Sequence, residues 1–155
     1  MPKAITQFVH INDLRNHFFP AYEKLKEKEL YWKTEGYKND IAFLLRHIAQ
    51  AEDWFLHAVI HQQHDFTPKR KSELPTIKEL IDYLHETRNN TIQFLEENDI
   101  SILRETRPMP EGFRGKKVDN PTIEWIIKRC FDHEVYHLAQ VNIMLRLQGI
   151  DPPSM

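Results

Sequence analysis

Close to residue 135 the chain reads His133-Glu134-Val135-Tyr136-His137, and this stretch decides both the fold and the candidate site. In an α-helix, residues four apart lie on one face with their Cβ atoms about 5–6 Å apart. If the stretch is helical, the two imidazole rings can converge on one metal ion. The spacing also matches the zinc-protease pattern H-E-x-x-H, in which the glutamate is the general base.

A zinc protease of the common kind needs a third ligand after this pattern. The longer protease motif requires Gly and His at the positions that Gln140 and Ile143 occupy here. The other common arrangement takes a glutamate from a following helix, but no Glu occurs after Glu134 in this sequence. A third ligand therefore has to come from upstream. This order disfavours a metalloprotease, which we keep as an alternative.

Composition bounds the number of domains and the kind of partner. The 155 residues suit a single domain over 1–155 with one hydrophobic core. The formal net charge is −2 and there is no basic tract, so we expect no nucleic-acid partner. No apolar run approaches the roughly 20 residues of a membrane span, and the N-terminus lacks the apolar core of a signal peptide. With a single cysteine, these features predict a cytoplasmic protein without membrane contact.

Pro and Gly cluster near 65–75, 107–121 and 149–153, and the segments between them have helical periodicity. The first predicted helix runs from about Ile5 to Leu30, and Pro20 should kink or interrupt it. The second follows an N-terminal cap at Asn39-Asp40 and runs to about Gln63.

The third predicted helix opens with a capping box formed by Thr76 and Glu79. The fourth has Asn120 as its cap and Pro121 in its first position, and it ends before Gly149. A long connection over 99–119 precedes it. Four amphipathic helices without a convincing strand pattern predict an all-α protein, a four-helix bundle.

Both histidines of the pair belong to the stripe of the fourth helix that we predict to face the core: Ile123, Ile126, Cys130, His133, His137, Val141 and Met144. Two imidazoles in apolar surroundings favour a metal ion over two unpaired polar groups. Metal sites in bundles take ligands from facing helices. On the second helix, His47 is in line with Leu44, Ala51, Trp54 and Ala58, which makes it the best upstream candidate for a third ligand.

The remaining candidates receive other roles. His57, His61 and His64 share a stripe with Gln50 and Asp53, which we predict to be a solvent-facing surface. Cys130 lies two helical turns from His137, too far to share its ion, and is interpreted as a small core residue. For Glu134 three roles stay open: it can orient a ligand ring, act on a bound water as general base, or form an interhelical hydrogen bond.

The chain resembles the DinB-like superfamily of helical bundle proteins, which includes the YfiT-type proteins. The resemblance rests on Leu45-Arg46-His47-Ile48-Ala49-Gln50-Ala51-Glu52 and on Asp132-His133-Glu134-Val135-Tyr136-His137-Leu138-Ala139-Gln140-Val141. It implies a bundle of up-down-down-up type. It also implies one divalent ion per chain, zinc or nickel, bound by His47, His133 and His137, and a homodimer.

Relatives of this kind include thiol S-transferases and metal-dependent hydrolases. The resemblance therefore implies a metal-dependent enzyme of one of these types, acting on a small-molecule substrate such as a low-molecular-weight thiol. A thiol that carries carboxylates could be anchored by Arg46, Arg104 or Arg107. A protein that binds a metal or small ligand without turnover is the second interpretation, and the metalloprotease is the third.

Overall fold

The computed structural model describes residues 1–111, 113 and 118–155. The described residues form five α-helices and no β-strand: α1 (Asp13–Tyr22), α2 (Glu27–Leu30), α3 (Ile41–Trp54), α4 (Ile77–Glu97) and α5 (Ile123–Leu147). Short 3₁₀ turns cover Ala4–Gln7, Lys71–Glu73 and Ile100–Arg104. The predicted all-α class is thereby confirmed.

The first predicted helix is wrong in its extent. The chain forms a 3₁₀ turn, then α1 and then the single-turn α2, where the sequence predicted one interrupted helix over 5–30. Pro20 lies inside α1, and the helix ends two residues later at Tyr22. Proline has no N–H for the carbonyl of Asn16, and its ring crowds that carbonyl, so the last turn of α1 lacks a hydrogen bond.

Helix α3 begins where the sequence predicts. The Asp40 carboxylate accepts a hydrogen bond of 2.7 Å from the backbone N–H of Phe43 and caps the helix. After Trp54 the backbone continues as a π-helix over Phe55–Ile60. The helical segment ends there, three residues before the predicted end, and Gln62 follows with a φ of +55°.

The capping box of α4 is confirmed, since the Thr76 hydroxyl accepts from the N–H of Glu79 and the Glu79 carboxylate accepts from the N–H of Thr76. Helix α4 is one of the two long helices that pack against α3.

The predicted cap of α5 is wrong by two residues. Thr122, and not Asn120, caps the helix, and its hydroxyl accepts from the N–H of Trp125 at 3.2 Å. The reason is a tertiary one: the carbonyl of Pro121 accepts from the N–H of Arg107 at 2.9 Å, which holds this segment in an extended conformation. The other end agrees with the prediction, because α5 stops at Leu147, shortly before Gly149 with its φ of +79°.

Helix α3 packs against both α4 and α5, so its side chains reach both neighbours. The buried apolar residues include Tyr22, Leu45, Leu84 and Val141, and none of the described helices is apolar over enough of its length to cross a membrane. The contact between α3 and α5 is the one that positions the candidate site.

Candidate metal centre

Three histidines meet where α3 packs against α5. The Nε2 atom of His133 lies 3.1 Å from Nε2 of His47 and 3.1 Å from Nε2 of His137. His133 and His137 approach each other because they are four residues apart on α5, while His47 reaches them from the middle of α3. The structure thus brings together the three residues that the sequence singled out as metal ligands.

The tautomer of His137 is set by a neighbour on its own helix. The Oε1 atom of Gln140 lies 2.6 Å from Nδ1 of His137, so Nδ1 carries the proton and donates it. A neutral imidazole with its proton on Nδ1 has its lone pair on Nε2. The Nε2 lone pair of His137 therefore points into the cluster, as it must in a metal ligand whose other nitrogen is held by a hydrogen bond.

The spacing of the three nitrogens fits one ion. Ligand nitrogens at about 2.0–2.1 Å from a tetrahedral zinc ion are about 3.3 Å apart, close to the observed 3.1 Å. The three ligand atoms all lie within 4.8 Å of one another, and in the described part of the chain this is the one such group of three or more. Three imidazoles leave a further coordination position for a ligand from solution.

All three rings are half-buried, and the next residue after each of them, Ile48, Glu134 and Leu138, is buried. Burial lowers the pKa of His133 to about 3, helped by the nearby rings of His137 and His47 and by Arg129. Burial also lowers the pKa of His47, together with His137 and Arg46. These two rings are therefore neutral at physiological pH, the protonation state in which imidazole binds metals.

Aromatic side chains flank the cluster on both helices. The ring of Phe43 stacks on His47 with a centroid distance of 5.5 Å and an angle of 16° between the planes. The ring of Tyr136 meets His137 edge-on at 5.0 Å, and Tyr136 is 63% exposed. The cluster therefore has an aromatic neighbour on each of its two helices.

Glu134 points away from the histidines into the core and is 4% exposed. Its Oε1 atom accepts from Nε of Arg15 at 2.6 Å, and its Oε2 atom accepts from Nη2 of Arg88 at 2.7 Å. Both carboxylate oxygens are thus engaged by cations from α1 and α4. Of the three roles considered from the sequence, these contacts correspond to the interhelical hydrogen bond.

Glu134 is one member of a buried ionic quartet, formed by Arg15, Glu52, Arg88 and Glu134. Nη2 of Arg15 donates to Glu52 Oε2 at 3.0 Å, and Arg88 donates to both oxygens of Glu52 at 2.9 and 3.2 Å. The remaining guanidinium nitrogens bond the backbone carbonyls of Leu84 and Ile11. Each arginine therefore joins both glutamates, and four helices, α1, α3, α4 and α5, are connected through one charge-balanced cluster.

The stripe of the second helix that we predicted to face solvent is only partly exposed. His61 and His64 are exposed, but His57 is half-buried and stacks on Phe66 at 4.6 Å. Asp53 is buried, where the sequence predicted exposure, because the Tyr83 hydroxyl on α4 donates to its carboxylate. The histidine cluster does not include these residues.

Cys130 has the surroundings predicted for a core residue. It is buried beside Ile126 and Ile127, and burial raises the pKa of its thiol well above the ordinary value. A protonated, inaccessible thiol is a poor metal ligand and a poor nucleophile.

Sequence patterns missed two kinds of functional residue. The buried arginines Arg15 and Arg88 looked like ordinary charged positions on amphipathic helices, and their partners lie 36 to 119 residues away in sequence. The role of Gln140 is local, since it lies three residues after His137 on one helix face. A search for second partners of the histidines at i+3 could have found it.

A comparison with known protein families covers the part of the chain that contains this site. The family model described as the DinB superfamily matches residues 10–141, a range that contains all three histidines and the whole ionic quartet. The curated proteins contain no match to the chain. Since the family model covers most of the 155 residues, the chain belongs to the DinB superfamily.

Proposed function

We propose that the protein binds one divalent ion, zinc or nickel, through His47, His133 and His137 and works as a metal-dependent enzyme on a small molecule. The reaction that we propose is a thiol S-transfer or a hydrolysis. One observation carries this proposal: Nε2 of His133 lies 3.1 Å from Nε2 of His47 and 3.1 Å from Nε2 of His137. Neutral imidazoles in such an arrangement are a donor set for a borderline-soft divalent ion.

A divalent ion held by three imidazoles keeps one coordination position open and lowers the pKa of a thiol or water there, so that a nucleophile is available at neutral pH. The chain itself supplies three things. His47 and His133 stay neutral because they are half-buried. Gln140 fixes the tautomer of His137. The three rings are only half-buried, which leaves the cluster in contact with solvent.

Two alternatives remain. A protein that binds metal without turnover would use the same three histidines. A metalloprotease is disfavoured further by the position of Glu134, because a general base needs a free carboxylate oxygen near the attacking water. Both oxygens of Glu134 accept hydrogen bonds from buried arginines, so this carboxylate is held away from such a role.

The first experiment measures metal binding on protein without a His-tag. We expect about one zinc or nickel ion per chain by mass spectrometry of metals. Replacing His47, His133 or His137 with Ala should each lower the affinity by at least about a hundredfold, since two ligands replace three. His64→Ala is the matched control and should bind like wild type. Full occupancy in His47→Ala would refute the proposed ligand set.

The second experiment separates an enzyme from a binding protein. The metal-loaded protein is incubated with a small thiol and an electrophile, and in parallel with an activated ester. Consumption of the electrophile that requires both thiol and metal would support transfer, and metal-dependent ester cleavage would support hydrolysis. Metal binding without either activity would favour the non-catalytic alternative, whereas cleavage of casein would support the protease.

We further propose that the helices form a bundle of up-down-down-up type and that the chain forms a homodimer. An exposed apolar stripe on α5, with Tyr136, Ile143 and Leu147, supports an interface between two copies. Light scattering at micromolar concentration should report about twice the 18.6 kDa of one chain. A mass of one chain at every concentration would refute the dimer.

A further inference from the structure

Two arginines lie at the edge of the histidine cluster, one on each of its helices. Arg46 precedes His47 on α3, and its guanidinium lies 5.4 Å from the ring centroid of Phe43, the same ring that stacks on His47. Arg129 lies four residues before His133 on α5, so its side chain starts on the same helix face. Together they place two positively charged residues beside the cluster.

Neither cation is neutralised by an acid within the described part of the chain. Other surface cations form ion pairs with neighbouring carboxylates: Lys128 pairs with Glu124 at 2.8 Å, and Lys78 pairs with Asp82 at 2.6 Å. No described residue forms such an ion pair with Arg46 or Arg129. Asp40, which precedes α3, accepts a hydrogen bond at the N-cap of the helix, and Asp132, three residues after Arg129, forms no ion pair with it.

Both arginines are neighbours of the cluster by geometry. Arg46 and His47 contact the same ring, that of Phe43, and Arg129 is one helical turn from His133, with their Cβ atoms about 5–6 Å apart. A divalent ion would add two further positive charges at the same place. A group of charges of one sign concentrates ligands of the opposite sign.

From this geometry we infer that Arg46 and Arg129 form a cationic rim which selects ligands that carry an anionic group besides the atom that reaches the metal. The inference rests on the proposed function for the metal. Guanidinium groups bind carboxylates and phosphates through two parallel hydrogen bonds, and stacking on Phe43 limits the orientations of Arg46. Of the three arginines considered from the sequence as anchors, Arg107 instead bonds the carbonyl of Ile60 and pairs with Glu105.

The test compares two thiols of equal size on the zinc-loaded protein: 3-mercaptopropionate, which is anionic, and 3-mercaptopropionamide, which is neutral. Dissociation constants are measured by calorimetry. We expect the anion to bind about tenfold more tightly, a preference in the range of two solvent-exposed ion pairs. Arg46→Gln and Arg129→Gln should each reduce that preference about threefold, and the double variant should retain only the smaller preference that the charge of the zinc ion gives. Arg104→Gln, which removes an exposed arginine outside the cluster, should leave the preference unchanged.

Inorganic phosphate tests the rim without a thiol. It should bind the zinc-loaded wild type and lose about tenfold in affinity in the double variant. If neither thiol binds but phosphate depends on both arginines, thiol transfer is refuted and the cationic rim is supported. The rim is refuted if both thiols bind equally or if the double variant keeps the wild-type preference. It is also refuted if no thiol binds and phosphate binding is absent or independent of the arginines.

Discussion

The histidine cluster and the ionic quartet share helices α3 and α5, yet they differ in burial and in charge. His133 and Glu134 are adjacent on α5, and His47 and Glu52 are five residues apart on α3. The quartet lies in the core, balances two acids against two bases, and is part of a described interior in which every buried side-chain nitrogen and oxygen has a hydrogen-bond partner. The cluster is half-buried and consists of three bases.

This difference separates two uses of polar residues inside a helical protein. A closed set of paired charges stabilises one packing arrangement, because removing any member leaves another charge buried and unpaired. Three imidazoles without an opposite charge offer nitrogen lone pairs to a cation. The quartet therefore connects α1, α3, α4 and α5, and the cluster offers donors for a cation.

The largest expected effect comes from breaking the quartet. Arg88→Met keeps the volume of the side chain but leaves Glu52 and Glu134 to share Arg15 alone. We expect the free energy of unfolding to fall by about 3–5 kcal/mol, the usual cost of removing one partner of a buried ion pair. Urea denaturation of the metal-free protein, followed by circular dichroism, measures this loss.

The control for that experiment is Lys128→Met, which breaks an exposed pair with Glu124 and should cost less than about 1 kcal/mol. If Arg88→Met were as stable as Lys128→Met, the quartet would not be what connects the helices.

The second prediction concerns a change in the histidine cluster, which should affect metal binding and not the stability of the metal-free protein. His133→Ala should leave the metal-free protein within about 1 kcal/mol of wild type, because the ring is half-buried and bonds only other histidines. Zinc at a hundred times its dissociation constant should stabilise wild type by about 2.7 kcal/mol and the variant by almost nothing. Thermal unfolding with zinc and with a chelator measures both. Equal stabilisation of the two proteins would place the ion elsewhere.

How far the sequence predicts this molecule depends on how local each feature is. Three features each depend on residues within about one helical turn, and all three are present in the structure: the Thr76 capping box, the Asp40 cap and the i, i+4 histidine pair. His47 required the helical period of α3 and the resemblance to a family, and the structure brings it to the pair. These features could be predicted because neighbours in sequence are neighbours in space.

The errors have a common physical cause, which is contact between segments distant in sequence. The start of α5 is displaced by hydrogen bonds from the chain near Arg107. Asp53 is buried because Tyr83 on another helix supplies a partner. Glu134 turns to the core because Arg15 and Arg88 arrive from α1 and α4. No pattern within one helix distinguishes such a glutamate from the general base of a protease motif.

Acid should affect the two regions at different pH values in the metal-free protein. The pKa of His133 is lowered from 6.5 to about 3, so between these values the unfolded chain binds more protons than the folded one, and stability falls as pH drops below 6.5. Burial alone would raise the pKa of Glu52, but Arg88 and Arg15 outweigh it and lower the pKa from 4.5. The stabilisation by Glu52 is complete above pH 4.5 and is lost as pH falls further.

Urea denaturation at a series of pH values measures these two phases, and neither should exceed about 1.4 kcal/mol per pH unit for each proton. His133→Asn should remove most of the phase that begins near pH 6.5 and keep the phase below 4.5. A variant that lost both phases together would show that the cluster and the quartet titrate as one unit.

The smallest expected effect concerns Gln140, which touches the cluster without being a ligand. Its Oε1 atom holds the proton of His137 on Nδ1, and in Gln140→Ala that proton is free to move to Nε2. Metal binding must then restore the tautomer, so zinc affinity should fall about tenfold, the lower end of what hydrogen-bond partners of metal ligands contribute. Gln93→Ala, which removes an exposed amide bonded to Glu97 on α4, is the matched control. Competition with a zinc-binding dye measures both affinities, and a Gln140 variant that binds zinc like the control would mean that the packing of α3 against α5 alone orients the ring.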